Sequence, residues 1–413
     1  VSQRRKRIPT GAFLTVFPST ETHGDDSYGF LDLRWQHELD ADSQLFVRTT
    51  LGQYDFRGGF DYGPIDGVQH LDQRGRWLGM EARWLYTGWA RQRVVLGVEA
   101  QRNFKQDQRA YFGNGTGAGE LLADIHAGTQ RWGLFAQDEL TLHPDLRAVL
   151  GARVDRQLNG DTTATPRLAL MWDAAPGLVL KLLDGRAYRE PNAYESQYHD
   201  NIALANPELR SETLRASELA LDWRVQANLR LAASLYRYKV NDLIEQQDQL
   251  IGAQNWLIYN NAGSVNARGL ELEADYVAAS GWRLRGSWAS QRARNVEGGE
   301  QIGNSPTTLS KLNLSLPVPL PFWQGQGRQG QGRVGLEWQR MGHRRTVLGA
   351  SLPAHAVTNL SFQVAPAGSR LSLSASVYNL FDTDYADPGG TEHVQDTLAR
   401  DGRQWRVQMA WQF

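Results

Sequence analysis

The chain has 413 residues, of which 22% are charged, with a formal net charge of −1 and no cysteine. A net charge this close to zero excludes a global field that would attract nucleic acid or anionic lipid. No window holds about 18 consecutive apolar residues, which excludes membrane-spanning helices. The lack of cysteine fits an exported protein, and 14 tryptophans suit the aromatic girdles of a membrane barrel.

Apolar and polar residues alternate along most of the chain, which predicts β-strands with two different faces. In one such run Val94, Leu96 and Val98 share a face, and Arg93 and Glu99 lie opposite. Each run is long enough for the roughly 9–11 residues of a tilted membrane strand. We predict seventeen strands, near residues 28–39, 43–57, 73–89, 92–108, 128–142, 145–157, 163–175, 177–189, 213–225, 228–247, 256–278, 281–294, 306–317, 332–345, 354–365, 369–380 and 403–413.

Short and long connections alternate between these strands. The long ones are 58–72, 109–127, 190–212, 295–305 and 381–402. Two connections depart from the rule: Gly160 lies in a short loop where a long one is due, and the Gly/Gln-rich stretch 318–331 is long and predicted to be disordered. Short turns on one side and long loops on the other are typical of an outer-membrane barrel. The predicted fold is an all-β, transmembrane antiparallel β-barrel.

The last predicted strand has one apolar and one polar face. Its apolar face carries Trp405, Val407, Met409, Trp411 and Phe413. Lipid on that face and water on the other would explain the pattern. If Phe413 lies at the periplasmic end, counting back places residues 1–27 in an extracellular loop. A barrel polypeptide should start on the periplasmic side, so its first part is expected to be missing. First and last strands would then run the same way, leaving two unpaired edges.

Three segments resemble motifs of TonB-dependent outer-membrane receptors. Residues 187–195 are similar to the family's FRAPN-x-x-E strand end, 206–213 to its NPxLxPE element, and 378–386 to its NLFDxxY element. The terminal residues Trp411, Gln412 and Phe413 resemble the aromatic end of the family's sequences. The motif positions that the resemblance makes structural are Tyr188, Pro191, Asn192, Asn206, Pro207, Glu212, Asn379, Leu380, Phe381, Asp382, Tyr385 and Phe413.

The resemblance implies a barrel of about 22 strands with an N-terminal plug in its lumen. Residues 1–413 would be one barrel domain that supplies about 17 of those strands. The plug, its TonB-binding box and the first strands would be absent. The implied function is uptake of a ferric siderophore or cobalamin-like chelate, energised by TonB in the intact protein. No bond is made or broken, so we expect neither an enzyme nor a resident cofactor or metal.

The loop 190–212 and the strand end before it hold the candidate ligand-binding residues. They are Arg189, Tyr194, Tyr198, His199 and Asp200. Arginine and tyrosine suit an anionic metal chelate, through charge-assisted and aromatic contacts. A sharper alternative makes His199 an axial haem ligand.

The basic run 4–7 is either a contact to lipopolysaccharide phosphate or a solvated charge run. The expected partners are outer-membrane lipid and lipopolysaccharide, a metal chelate, and TonB only through the missing N-terminal region. No nucleic acid partner is expected, and the protein should be a monomer in the outer membrane of a Gram-negative bacterium. The alternatives are a passive porin-like pore and a soluble all-β carbohydrate-active protein.

Overall fold

A computed structural model describes residues 1–8, 11–114, 119–156, 160–325, 328–365 and 370–412. Twenty strands form one large sheet. No helix within these ranges is long and apolar enough to span a bilayer. The helices are α1 (Gly63–Asp66) and α2 (Ala193–Gln197), with a 3₁₀ turn at Ala12–Leu14. The strands are β1 (Ser2–Arg7), β2 (His23–Asp40), β3 (Ser43–Asp61), β4 (Val68–Tyr86), β5 (Gln92–Phe112), β6 (Leu121–Ile125), β7 (Thr129–His143), β8 (Leu146–Arg156), β9 (Thr162–Ala175), β10 (Leu178–Arg189), β11 (Ala203–Leu204), β12 (Glu212–Gln226), β13 (Leu229–Ile251), β14 (Gln254–Val277), β15 (Arg283–Asn295), β16 (Thr308–Gly325), β17 (Arg328–Met341), β18 (Arg344–Arg345), β19 (Ser351–Leu352), β20 (His355–Ala365), β21 (Leu371–Tyr378), β22 (Ala386–Pro388), β23 (Thr397–Ala399) and β24 (Gln404–Trp411).

All seventeen predicted strands are present in the large sheet. They are β2–β5, β7–β10, β12–β17, β20, β21 and β24. Each pairs antiparallel with the next one along the chain. The prediction of an all-β antiparallel barrel wall is confirmed, because period-2 alternation identified every long strand.

The two faces of the sheet differ as the alternation predicts. Leu182, Leu219 and Leu235 lie directly opposite one another on β10, β12 and β13, and Leu235 is 56% exposed. On the other face, the Ser234 hydroxyl donates to Glu218 Oε1 over 2.6 Å. We call the first the outer face and the second the inner face. An exposed apolar face backed by a hydrogen-bonded polar face is the arrangement of a wall between lipid and water.

The prediction that residues 1–27 form a loop is wrong at both ends of that range. Strand β1 pairs antiparallel with the start of β2, from Ser2 opposite Tyr28 to Arg7 opposite His23. Arg4 lies 2.6 Å from an Asp26 carboxylate oxygen. The strand was missed because its charged run has no apolar alternation, and opposite charges on β2 complement it instead. With β1 included, the first and last strands run in opposite directions.

The predicted disorder in 318–331 is also wrong for the described parts, 318–325 and 328–331. β16 and β17 continue through this stretch as one hairpin, in which Gln324 pairs with Gln329 and Gly325 with Arg328. Backbone hydrogen bonds form the ladder, so a Gly/Gln-rich composition does not prevent it. Residues 326–327 of this hairpin lie outside the described residues. So do 157–159 before Gly160, residues 366–369 and the terminal Phe413.

The large sheet has two edges within the part of the chain that the structure describes. There, β1 pairs only with β2, and β24 pairs only with β21. The apolar residues of β24 are correspondingly open, with Trp405 74% and Met409 70% exposed. An unpaired edge of this kind is a template for a further strand.

One end of the barrel wall has short turns and the other has long connections. At the turn end, β9 and β10 are joined by a turn in which Gly177 adopts φ 76°. A Cβ there would also lie 2.6 Å from the Arg224 carbonyl oxygen, so the turn requires glycine. The short elements lie in the connections at the opposite, loop end. They are α1, β6, α2, β11, β18, β19, β22 and β23.

Candidate functional site

The loop 190–212 holds the candidate site. Near its start lies helix α2, which has a complete capping box. Asn192 Oδ1 accepts from the backbone N–H of Glu195 over 2.9 Å, and Glu195 Oε2 accepts from the backbone N–H of Asn192 over 2.8 Å. Two otherwise unpaired amide groups are satisfied in this way. The box fixes a helix of only five residues, which could not persist alone in water.

Arg189 joins α2 to the barrel wall. Its Nε and Nη2 donate to the two Glu212 carboxylate oxygens, each over 2.8 Å, and its Nη1 donates to Glu195 at 2.9 and 3.0 Å. Glu212 Oε1 also accepts from the Ile244 backbone N–H over 2.8 Å. Only arginine has the planar fork needed to hold two carboxylates at once. The loop is thus tied to β10, β12 and β13 by one side chain.

The remainder of the loop is fastened to β14. Strand β11 pairs in parallel with residues 257–258. Asn206 Nδ2 donates to the Tyr259 carbonyl oxygen over 2.9 Å, and Asn261 Oδ1 accepts from the Arg210 backbone N–H over 2.8 Å. Leu209 between them is only 2% exposed. Loop 190–212 is therefore a fixed platform at the loop end.

The platform carries a tyrosine cluster, formed by Tyr62, Tyr194, Tyr198 and Tyr259. Tyr194 stacks on Tyr198 with ring centroids 4.6 Å apart and meets Tyr259 edge-on at 6.2 Å. The Tyr198 hydroxyl donates to Asp200 Oδ2 over 2.9 Å. Tyr198 belongs to the small apolar core of the loop end, whereas Tyr194 is 40% exposed. The ring of Tyr194 is thus accessible to solvent, and Tyr198 holds it in place.

Burial keeps these phenols neutral. Loss of hydration raises the pKa of Tyr194 to about 12. It also raises the pKa of Tyr198, with the neighbouring Asp200 carboxylate as a second cause, and the pKa of Tyr62. A neutral phenol can donate a hydrogen bond and offers a π-face. The cluster therefore presents hydrogen-bond donors and aromatic rings at the loop end.

The five predicted ligand residues occupy different environments. Arg189 and Asp200 are used within the protein, since Asp200 Oδ1 accepts the backbone N–H groups of Ile202 and Ala203. Tyr198 is buried. Tyr194, His199 and the ion-paired Arg189 are exposed. The assignment of all five to ligand contact stays a prediction. Tyr62 and Tyr259 were not predicted, because no signal in the sequence links them to a loop more than 45 residues away.

The NLFDxxY segment forms a hydrogen-bonded connector at the end of β21, in which Asn379 is buried and Phe381 is exposed. Asn379 has φ 49° and is 3% exposed. Its Oδ1 accepts from the Thr383 backbone N–H over 2.8 Å, while Asp382 Oδ1 accepts from the Arg403 backbone N–H over 2.7 Å. Asparagine tolerates this left-handed conformation and bonds nearby backbone. Tyr385 stacks on His355 at 4.6 Å.

Glu190 lies at the junction of β10 and the loop, and we expect it to make the stability of the loop depend on pH. Burial raises its carboxyl pKa above the ordinary value, and its buried Oε1 has no hydrogen-bond partner in the part of the chain that the structure describes. A raised pKa in the folded state stabilises the loop below the unfolded pKa and loses that stabilisation as pH rises through the folded value. Glu190→Gln should therefore slow hydrogen exchange of the loop relative to the native chain at pH 7.5, and the difference should vanish at pH 4.

The control for this experiment is Glu208→Gln, which changes an exposed glutamate of the same loop. It should leave exchange unaltered at both pH values, after correction for the intrinsic rate. Equal exchange of Glu190→Gln and the native chain at pH 7.5 would show that burial of this carboxylate does not destabilise the loop.

The sequence comparison decides the family. The family profile described as "TonB dependent receptor-like, beta-barrel" matches residues 5–380. The chain belongs to this family. No curated protein matches it significantly. Receptors of this family lie in the outer membrane of Gram-negative bacteria, so the outer face of the receptor chain meets lipid and its loop end is extracellular.

Solved structures share the fold of the receptor chain. They include the copper transporter OprC, with a TM-score of 0.72, 18% identity, and coverage of 95% of this chain and 66% of that one. For the ferric citrate transporter FecA the TM-score is 0.71 and the identity 14%. The match covers 95% of this chain and 62% of that one. For the ferric-catecholate import receptor Fiu from E. coli the TM-score is 0.68 and the identity 15%. The match covers 95% of this chain and 65% of that one. The chain thus spans slightly less than two thirds of the length of these proteins.

Proposed function

We propose that this barrel is the receptor wall through which a chelated metal nutrient, a ferric siderophore or a cobalamin-like molecule, is taken up with energy from TonB in the intact protein. Membership of the TonB-dependent receptors supports the class of function, and the neighbours named for copper, ferric citrate and ferric catecholate support the class of cargo. The observation that carries the proposal is Tyr194, presented on a fixed platform at the extracellular end.

The chemistry of the platform fits an intact chelate. Neutral tyrosines bind aromatic or aliphatic chelate arms by stacking and by hydrogen bonds. Because Arg189 is already neutralised by Glu195 and Glu212, its role is to hold the platform still. A rigid site loses little conformational entropy on binding, which favours affinity.

Tyr194→Ala should weaken chelate binding about tenfold, as expected for loss of one well-packed aromatic contact. Quenching of tryptophan fluorescence would report binding by the gene's complete product in detergent. The probes are ferric citrate, a ferric tricatecholate, a ferric trihydroxamate and cyanocobalamin. At least one of them should bind the native protein.

Tyr86→Ala is the matched control. Tyr86 is also part of an aromatic pair, with Trp84 at 5.3 Å, but lies at the turn end. Its loss should leave every chelate affinity unchanged. Equal affinities of Tyr194→Ala and Tyr86→Ala for the chelate that binds would remove Tyr194 from the site.

Haem is a second candidate cargo, because His199 is suitably placed. Its imidazole is exposed, with Nδ1 3.1 Å from the Gln197 carbonyl oxygen and Nε2 without a hydrogen-bond partner among the described residues. A hydrogen bond at Nδ1 orients an imidazole for ligation through Nε2. Haem should then bind with a shifted Soret band that His199→Ala abolishes; an unshifted band with the native protein would exclude this cargo.

A further inference from the structure

A row of arginines crosses the outer face of the wall directly above its apolar band. Strand register places Arg237 opposite Arg268, and Arg268 opposite Arg292, on β13, β14 and β15. Two residues closer to the turn end, Leu235 lies opposite Leu270. Residues two apart on a strand share a face, so the arginines lie on the outer face with these leucines. The row begins where the lipid-facing leucines end.

A second basic row lies above the first. Arg215 is opposite Lys239, Lys239 is opposite Asn266, and Asn266 is opposite Arg294. The only acidic residue in the two rows is Asp184, whose carboxylate is 3.6 Å from Arg215. We call the basic members the arginine patch. They are Arg186, Arg215, Arg237, Lys239, Arg268, Arg292 and Arg294.

The three arginines of the first row have no acidic partner within the described residues. Arg237, Arg268 and Arg292 are exposed, and none makes a hydrogen bond or an ion pair with another described residue. Like charges directly opposite each other destabilise a sheet. A shallow cavity of about 420 Å³ runs along the row. Asn266 in its lining has a buried Oδ1 that accepts no hydrogen bond from the described residues. The positive charge of the three arginines is thus not neutralised within the described part of the chain. The Asn266 Oδ1 atom beside them can accept a hydrogen bond from a hydroxyl or amide group.

Strands β3–β6 place their outer-face arginines opposite aspartates instead. On the outer face near the loop end of β3–β6, Arg57 is opposite Asp72, Asp72 is opposite Arg109, and Arg109 is opposite Asp124. Charges in this row alternate across the strands. Where two cations do face each other nearby, at Arg76 and Lys105, each has an acidic partner, Asp55 or Asp107. The uninterrupted arginines of β13–β15 are therefore a local feature and not a general property of the barrel rim.

We propose that the arginine patch binds the phosphate groups of a phosphorylated lipid headgroup in the outer leaflet. The patch lies at the level where a headgroup meets the wall, since the leucine row below it faces the acyl chains. Guanidinium groups bind phosphate oxygens bidentately, and basic pockets at this depth are a recurrent means of holding anionic lipids. The inference rests on the membrane placement of the barrel and is independent of the chelate that it takes up.

The test compares lipid binding by two triple variants of the chain in detergent. Arg237→Gln/Arg268→Gln/Arg292→Gln removes the row, and Arg57→Gln/Arg74→Gln/Arg109→Gln removes three exposed arginines from the alternating part. Native mass spectrometry would measure affinities for diphosphoryl lipid A, monophosphoryl lipid A and phosphatidylcholine. The native chain should prefer the diphosphoryl lipid. The row variant should bind it about 100-fold more weakly, and the control variant should bind like the native chain.

Heat stability gives a second, independent readout. The native chain should gain stability when diphosphoryl lipid A is added, whereas the row variant should not. Without lipid, the row variant should be at least as stable as the native chain, because like-charge repulsion has been removed. Native-like binding of diphosphoryl lipid A by the row variant, or equal binding of phosphatidylcholine by the native chain, would overturn the proposal. A row variant that is less stable than the native chain in plain detergent would point to a structural role instead.

Discussion

Replacing Leu221 with arginine should lower the free energy of unfolding of the barrel by about 2–4 kcal/mol, the cost of a cation on the lipid face near the bilayer midplane. Leu221 lies on the outer face of β12, opposite Leu180 on β10 and Ala233 on β13. This row is the middle of the apolar band, with Trp223 two residues towards the turn end and Leu219 two residues towards the arginine patch. A urea titration in phosphatidylcholine vesicles would measure the loss.

Ala220→Arg is the matched control, because it introduces the same charge one residue away on the inner face. Ala220 lies opposite Ser234, beside the Glu218 carboxylate of the polar face. Its unfolding free energy should stay within about 1 kcal/mol of the native value. Equal losses for the two variants would contradict the assignment of lipid and water to the two faces, and with it the membrane placement.

Arg189→Ala should release α2 from the wall and lower the free energy of opening of the loop 190–212 by about 2 kcal/mol. The change leaves the carboxylates of Glu195 and Glu212, which are 13% and 14% exposed, facing each other without a cation. The estimate is below that for a fully buried pair because the Arg189 side chain is 44% exposed. Hydrogen exchange of the loop amides should accelerate about 30-fold.

Arg210→Ala provides the comparison within the same loop. Arg210 makes an ion pair with Asp242 over 2.9 Å, but both side chains are solvent-accessible, at 65% and 38%. Exposed pairs contribute at most about 1 kcal/mol, so exchange should change less than about fivefold. Similar acceleration in both variants would mean that Arg189 is no more important to the platform than a surface ion pair.

The long strands were predictable because each has a lipid face and a water face, which imposes period 2 on the sequence. The elements that escaped prediction lack this signal. β1 is held by Arg4 and its neighbours pairing with acids on β2, and the β16–β17 hairpin extends by backbone pairing alone. Neither depends on apolar alternation, so the pattern gave no sign of them.

The candidate site was predictable in its residue types but not in its contacts. Tyrosines and Arg189 pointed to loop 190–212, yet the pairing of Arg189 with Glu195 and Glu212 depends on how the loop folds back. Tyr259 reaches Tyr194 from another hairpin. Likewise, the alignment of Arg237, Arg268 and Arg292 depends on strand register, which spacing along one chain does not define.

Energised uptake is the most direct test of the proposed function. Cells that lack their own metal-chelate receptors would express the gene's complete product, with and without TonB, and receive the radiolabelled form of the chelate that binds best. The account predicts that label accumulates against its gradient only in cells with TonB, and less with Tyr194→Ala than with Tyr86→Ala. Equal, non-concentrative entry of label in cells with and without TonB would contradict it and identify a passive pore.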